Sequence, residues 1–215
     1  MLAPVNIPGQ VVHYDHGAGL AVTLEDVLES EHAASDWESC SRREGRVSFD
    51  WEASVCRTWE RRINTLRVGG AGASLVSRES LDRDGFTSTS VAVTDSRVFV
   101  RSQEGGLYGW DSPTVPESRV TTYALSEGGA LDAGTSVSLS DLQRSYYWGG
   151  GQITARGDHA FITESNRLVV IDASGPGEPG VREVDMPGWH CQSLEVRAGR
   201  AFCAMGPYGV LTIDL

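Results

Sequence analysis

The sequence predicts an all-β chain of propeller type. Three observations carry that expectation: a strand-turn-strand text that recurs, an arginine-led third strand that follows it, and the point in the cycle at which the chain starts and stops. Val91 to Val100, Ile153 to Ile162 and Leu194 to Cys203 align so that one column reads Phe99, Phe161, Phe202 and another reads Arg97, His159, Arg200. An internal repeat of this kind constrains architecture before any single motif does. The phenylalanine column is expected to be buried at equivalent positions on the second strand of successive units.

Each unit reads as four strands, a to d. Strands a and b meet at terse turns, Thr94-Asp95-Ser96, Arg156-Gly157-Asp158 and Arg197-Ala198-Gly199. Strand c follows as Arg62 to Val68, Arg119 to Leu125 and Arg167 to Ala173, with apolar residues alternating behind the arginine, a period-2 signal. A glycine-rich turn comes next (Gly69-Gly70-Ala71-Gly72, Glu127-Gly128-Gly129, Gly175-Pro176-Gly177), then strand d, ending at Leu81, Leu139 or Met186. Four short antiparallel strands between Gly, Pro and Asp turns make one propeller blade. The units are placed at 2–81, 82–140, 141–187 and 188–215, with a b–c insertion at 25–60 in the first. Only the interval from Ile153 to Leu194 sits near the roughly 40 to 45 residues of an uninterrupted blade.

The two ends of the chain are out of phase. Leu2-Ala3-Pro4-Val5-Asn6-Ile7-Pro8-Gly9 matches Val181-Arg182-Glu183-Val184-Asp185-Met186-Pro187-Gly188, so the chain opens on a d strand, and Val210 to Asp214 closes it on a c strand. Three closures satisfy this: a four-bladed ring completed by the first strand, an eight-bladed ring of two copies, or a segment of a longer propeller, which is the expectation adopted. A β-sandwich with similar hairpins is the competing architecture. Open edges must be paired or they aggregate.

Leu168-Val169-Val170-Ile171-Asp172-Ala173-Ser174-Gly175-Pro176-Gly177-Glu178-Pro179 resembles the LVIVD-repeat propellers of bacterial secreted and surface proteins, in which an apolar strand ends in Asp before a Ser-x-Pro-x-x-Pro turn. Val210 to Asp214 repeats the strand half, whereas Arg62 to Val68 and Arg119 to Leu125 lack the terminal Asp. The resemblance implies a propeller, an exported location and a binding scaffold without a shared catalytic site.

Composition narrows the partners. A net charge of −11 opposes the counterion-release attraction that governs binding to a phosphate backbone, so nucleic acid is not expected. No apolar run reaches membrane-spanning length. Met1-Leu2-Ala3-Pro4 lacks the basic and apolar regions of a secretory signal, so the protein is either cytosolic or the sequence lacks the start of a longer precursor. Cys40 and Cys56 flank a polar, loop-like stretch, where a bridge in an oxidising compartment is expected; the location is then extracellular, cell-surface or periplasmic. Cys191 and Cys203 lie on neighbouring strands but offset in register, which makes Cys203 a small core residue.

The d–a and b–c loops of a propeller open on one rim, and the elaboration falls there. Trp37 and Trp51 lie in the long insertion, Tyr108 and Trp110 in the second b–c loop, Tyr147 and Trp148 in one d–a loop, and Trp189 with His190 in the next. These eight residues are the candidate binding surface, because aromatic clusters with polar rims make interface hot spots. Within the insertion Val47, Phe49 and Trp51 alternate as in a hairpin, and the acidic run Glu25 to Glu31 reads as a helical turn or loop, with any helix expected between Glu25 and Ser35. His13-Tyr14-Asp15-His16-Gly17 has metal-ligand residue types but reads as turn chemistry, and Asp82-Arg83-Asp84-Gly85 starts like a calcium loop that no glutamate closes. No cofactor or catalytic motif is present. The expected function is therefore a non-enzymatic scaffold binding a protein or glycan, with the remainder of a longer propeller or a second chain completing the ring. The competing readings are a hydrolase or lyase at the propeller mouth, using acidic residues and His190, and a purely architectural role in a larger assembly.

Overall fold

The computed structural model describes residues 7–41, 46–70, 72–81, 86–104, 118–139, 153–164, 167–186 and 191–215. The chain is all-β, built from consecutive antiparallel sheets of blade type, and divides into two compact units: residues 1–87 with 126–131, and residues 88–125 with 132–215.

The first unit holds strands β1 (Gln10–Asp15), β2 (Leu20–Ala33), β3 (Arg46–Asp50), β4 (Val55–Gly69) and β5 (Gly72–Leu81). Their order is β1-β2-β4, with β3 and β5 both pairing β4, β5 along its C-terminal half and β3 along its N-terminal half. The strand d end at Leu81 is as the repeat requires. The insertion is shorter than the sequence implies: β2 runs to Ala33 and β4 starts at Val55, so the span between the strands is 34–54. No helix forms between Glu25 and Ser35. The acidic run is strand because β4 presents arginines opposite it: Glu25 lies opposite Arg62, Asp26 opposite Arg61 and Glu31 opposite Arg57. Opposite charges facing across an antiparallel pair stabilise the pair. The helix is instead α1 (Trp37–Ser41), started by Asp36, whose carboxylate accepts the Ser39 N–H at 2.8 Å.

In the same unit the turn at 126–131 is held by Thr65, whose hydroxyl donates to the Gly129 carbonyl, and by Arg67, which donates to the Gly128 carbonyl at 3.0 Å. Gly129 has φ of 87°, a left-handed conformation that favours glycine, and a Cβ there would lie 2.5 Å from Leu20 Cδ1, so any other residue would be strained and would push the leucine end aside.

The second unit stacks three sheets. They are β6 (Phe86–Val93), β7 (Arg97–Glu104), β8 (Ser118–Ala124) and β9 (Thr135–Ser138); β10 (Ile153–Arg156), β11 (His159–Glu164), β12 (Arg167–Asp172) and β13 (Gly180–Asp185); and β14 (Ser193–Arg197), β15 (Arg200–Ala204) and β16 (Val210–Asp214). Each is a simple meander in chain order, as the repeat predicts. One apolar layer joins Phe99, Val120, Val137 and Leu139 to Ala160, Ile162, Val169 and Ile171. The next joins Phe161, Leu168, Val170 and Met186 to Ala201, Cys203, Met205 and Ile213. Both faces of β11 and β12 are thus buried, which is why Leu168 to Ile171 is an unbroken apolar run.

The phenylalanine column needs a partial correction. Phe99 and Phe161 are 0% and 4% exposed, each directed at the sheet that follows its own. Phe202 holds the same register, opposite Thr212 as Phe161 is opposite Val170, yet is only half-buried. Its neighbours Ala201 and Cys203 face the preceding layer, so Phe202 points to the other face of the last sheet.

Two disulfides close the inventory: Cys40–Cys56, as expected, and Cys191–Cys203. The second corrects the reading of Cys203 as an unpaired core residue. With Leu194 opposite Cys203, an extended chain would carry Cys191 past its partner, but the backbone bends at Gln192 and leaves the two Cα atoms 5.4 Å apart.

Candidate functional site

The candidate site lies at the far end of the β2–β4 ribbon. Fourteen residues at roughly 3.3 Å each make β2 about 45 Å long, far more than the blade around it requires. Past Leu24 the ribbon is held by polar groups on both faces. On one, Arg61 makes a two-pronged pair with Asp26 at 2.8 and 3.0 Å, and Arg57 bridges Glu31 at 2.7 Å and Asp50 at 3.2 Å. On the other, Glu60 takes Arg62 and the Ser80 hydroxyl, and Arg78 donates to Asn64 Oδ1 at 2.8 Å while Asn64 donates to Glu25 at 3.1 Å. Carboxylate neighbours raise the Arg57 and Arg62 guanidinium pKa further, led by the hydrogen bonds these guanidiniums donate to Glu31 and Glu60 respectively. Such a ladder fixes register without burying apolar surface.

The tip is a stapled hairpin. Cys40 on α1 is joined to Cys56 on β4, and both are fully buried, so the short helix is pinned on the ribbon. The turn after β3 is set by Asp50, which accepts the Glu52 and Ala53 N–H groups at 3.1 Å each; the Ala53 bond, then Arg57, holds its carboxyl below the ordinary carboxylate range. Ser54 closes the turn at φ of 52°. This geometry leaves Trp51 71% exposed, its ring edge-on to Phe49 with centroids 4.7 Å apart. Trp59 is tied down, donating Nε1–H to Ser48 Oγ at 2.9 Å. Trp37 is half-buried, and its buried Nε1 has no acceptor among the described residues.

Of the eight sequence-predicted binding residues, the structure brings Trp37 and Trp51 to this tip. Tyr108, Trp110, Tyr147, Trp148, Trp189 and His190 lie outside the described residues, as does Asp82 to Gly85. His13 to Gly17 is turn chemistry: Asp15 Oδ1 accepts the Gly17 and Ala18 N–H groups at 2.7 and 3.1 Å. Among the described residues no cluster of ligating side chains is suited to a metal ion, and no helix is long and apolar enough to cross a membrane. Sequence reasoning missed Tyr208, 89% exposed at the end of the 3-10 turn Gly206–Tyr208, and Val210, 68% exposed at the start of β16. The repeat carries no signal for this exposure, since Val210 corresponds to Leu168, which is fully buried.

No family model matches the chain, and no curated protein sequence does. Among solved structures the chain is similar to the crystal structure of Myxococcus xanthus glutaminyl cyclase, at 12% identity and a TM-score of 0.33 over 88% of this chain and 71% of that one. A likeness of that size carries no argument about activity.

Proposed function

We propose that the chain is a non-enzymatic binding scaffold that engages a protein or a glycan through aromatic residues, with Trp51 as its leading contact. The observation that carries this reading is the exposure of Trp51 at the end of a ribbon stiffened by ion pairs and a disulfide. A large aromatic ring left in water costs solvation unless a partner covers it, and a rigid support lowers the entropy lost on docking. Rings of this kind serve both protein hot spots and the faces of sugars. The two disulfides fit an oxidising compartment, and with the LVIVD-like strand text they support an exported protein.

The test compares the unmodified chain with Trp51→Ala on a glycan array and in affinity capture from an extracellular protein fraction. A ligand retained by the unmodified chain should be weakened by about 2 kcal/mol or more, the scale of a hot spot, while the melting temperature is unchanged. Equal binding by both proteins would remove Trp51 from the site.

A further inference from the structure

We propose that the outer half of the β2–β4 ribbon packs face to face on the same ribbon of a second copy of this chain, about a two-fold axis parallel to the strands. The two faces of the ribbon differ. On one, Cys56, Thr58 and Glu60 are buried, whereas on the other Arg57, Trp59 and Arg61 are only half-buried. Directly opposed residues of an antiparallel pair share a face, so Asp26 joins Arg61, Leu28 joins Trp59 and Glu31 joins Arg57 in three successive rows of that second face. A bulge makes the third row possible: the extra residue between Leu28 and Ser30 turns Glu31, not Ser30, to the side of Asp26 and Leu28. The middle row is uncharged, with Leu28 46% exposed, and the rows on either side of it are ion pairs. An apolar centre inside a charged rim is the anatomy of an association surface.

Charge selects both the occupant and its orientation. In each outer row the carboxylate is carried by β2 and the guanidinium by β4. A two-fold along the ribbon lays β2 of one copy over β4 of the other, with every row over its own counterpart. Asp26 then faces Arg61 of the second copy, Glu31 faces its Arg57, and Leu28 covers its Trp59; the same three contacts recur with the copies exchanged, as an isologous interface requires. An axis across the strands would instead stack β2 on β2 and reverse the rows, setting Asp26 against Glu31 and Arg61 against Arg57, like charge on like. The usual angle of about 30° between packed sheets displaces the outer rows by only about 3 to 4 Å, within the reach of an arginine side chain. Asp26, Glu31 and Asp50 each already meet a guanidinium within the chain, so two copies of net charge −11 can close here without bringing unpaired like charges together. Three rows on two strands make a small face, so the dimer is a weak one, formed at roughly 10 to 100 µM.

The test uses the full chain and sedimentation velocity over that concentration range. The unmodified chain should pass from monomer to dimer. Leu28→Glu alters an exposed side chain and sets a carboxylate on the Trp59 ring of the second copy; its self-association should be at least about tenfold weaker, with circular dichroism unchanged. The double variant Asp26→Arg with Arg61→Asp exchanges one row, so opposite charges still face each other within the chain and between two copies of the variant, and it should dimerise as the unmodified chain does. In a mixture of the two proteins like charges meet, and energy transfer between labelled chains should show mixed dimers at no more than about a tenth of their statistical share. A monomeric unmodified chain at about 100 µM, unimpaired self-association of folded Leu28→Glu, or free mixing of the exchanged and unmodified chains would each overturn the proposal.

Discussion

The β2–β4 ribbon and the β10–β13 sheet are both antiparallel β-structure, yet opposite forces hold them. In β12, Leu168 to Ile171 are all buried and the strand is gripped between two apolar layers. Along the outer half of β4 the chain reads Arg57-Thr58-Trp59-Glu60-Arg61-Arg62, and the contacts of its charged residues are ion pairs and hydrogen bonds. Burial of a leucine or isoleucine stabilises by about 1.5 to 3 kcal/mol, whereas a partly exposed ion pair contributes about 0 to 1. The sheet is thus a load of apolar area in a short chain, and the ribbon is a long element of precise register and modest stability, kept in place by a covalent staple.

The first way to break this comparison is to remove apolar volume. Phe161→Ala should cost on the order of 3 to 5 kcal/mol in urea denaturation, because the ring is 4% exposed inside a layer. Phe202→Ala, at the same repeat position but half-buried, should cost no more than about 1 kcal/mol. If the two losses are equal, the outer face of the last sheet is covered in solution and the asymmetry drawn here between the two phenylalanines is wrong.

The second is to cut the staple. Cys40 and Cys56 are 16 residues apart, and replacing both with alanine should destabilise the ribbon by about 3 kcal/mol if the bond acts by constraining the unfolded chain. Hydrogen exchange localises the effect: amides of β3 and the first half of β4 should lose protection while those of β11 and β12 keep theirs. Uniform loss across both would mean that the ribbon and the sheet unfold together.

The sequence made the stacked sheets legible because apolar alternation and turn glycines are local signals that recur with the repeat. The ends of β5, β9 and β13 fall at or next to Leu81, Leu139 and Met186 for that reason. The ribbon was misread because its signal is paired rather than periodic. Glu25 to Glu31 looks like a solvated helix or loop until Arg57, Arg61 and Arg62, some thirty residues on, are set opposite it in register. The Cys191–Cys203 bond escaped for a similar reason, since a bend at one residue, Gln192, undoes a register count that is otherwise right. Phe202 shows the limit of the repeat itself: register can be inherited, but burial depends on which neighbour is present. Of the candidate site, the hairpin and its disulfide were readable from spacing, while the length of the ribbon that carries Trp51 was not.

The smallest expected effect separates two carboxylates that are both held below their ordinary pKa. Asp158 is lowered chiefly by the Arg97 guanidinium, which donates to it at 2.9 Å, with the Ser96 hydroxyl adding to it. Asp50 is lowered first by the Ala53 N–H of its own turn and only then by Arg57. A carboxylate whose folded pKa is depressed binds fewer protons in the folded chain, so its contribution is fully present above the unfolded value, about 3.9, and is lost as pH falls through the lowered folded value. Asp158→Asn should therefore cost less than about 1 kcal/mol at neutral pH, a difference from the unmodified chain that closes as the pH is brought below about 4. Salt should weaken that difference, because the pair is solvent-exposed, with 24% and 40% of the two side chains open to water. For Asp50→Asn the same acid dependence should survive added salt better, since a backbone dipole one turn away is screened less than a mobile guanidinium. Denaturation of both variants at low and high salt, between neutral pH and pH 3, checks this; equal salt sensitivity would place the Arg57 ion pair, not the turn, in control of Asp50.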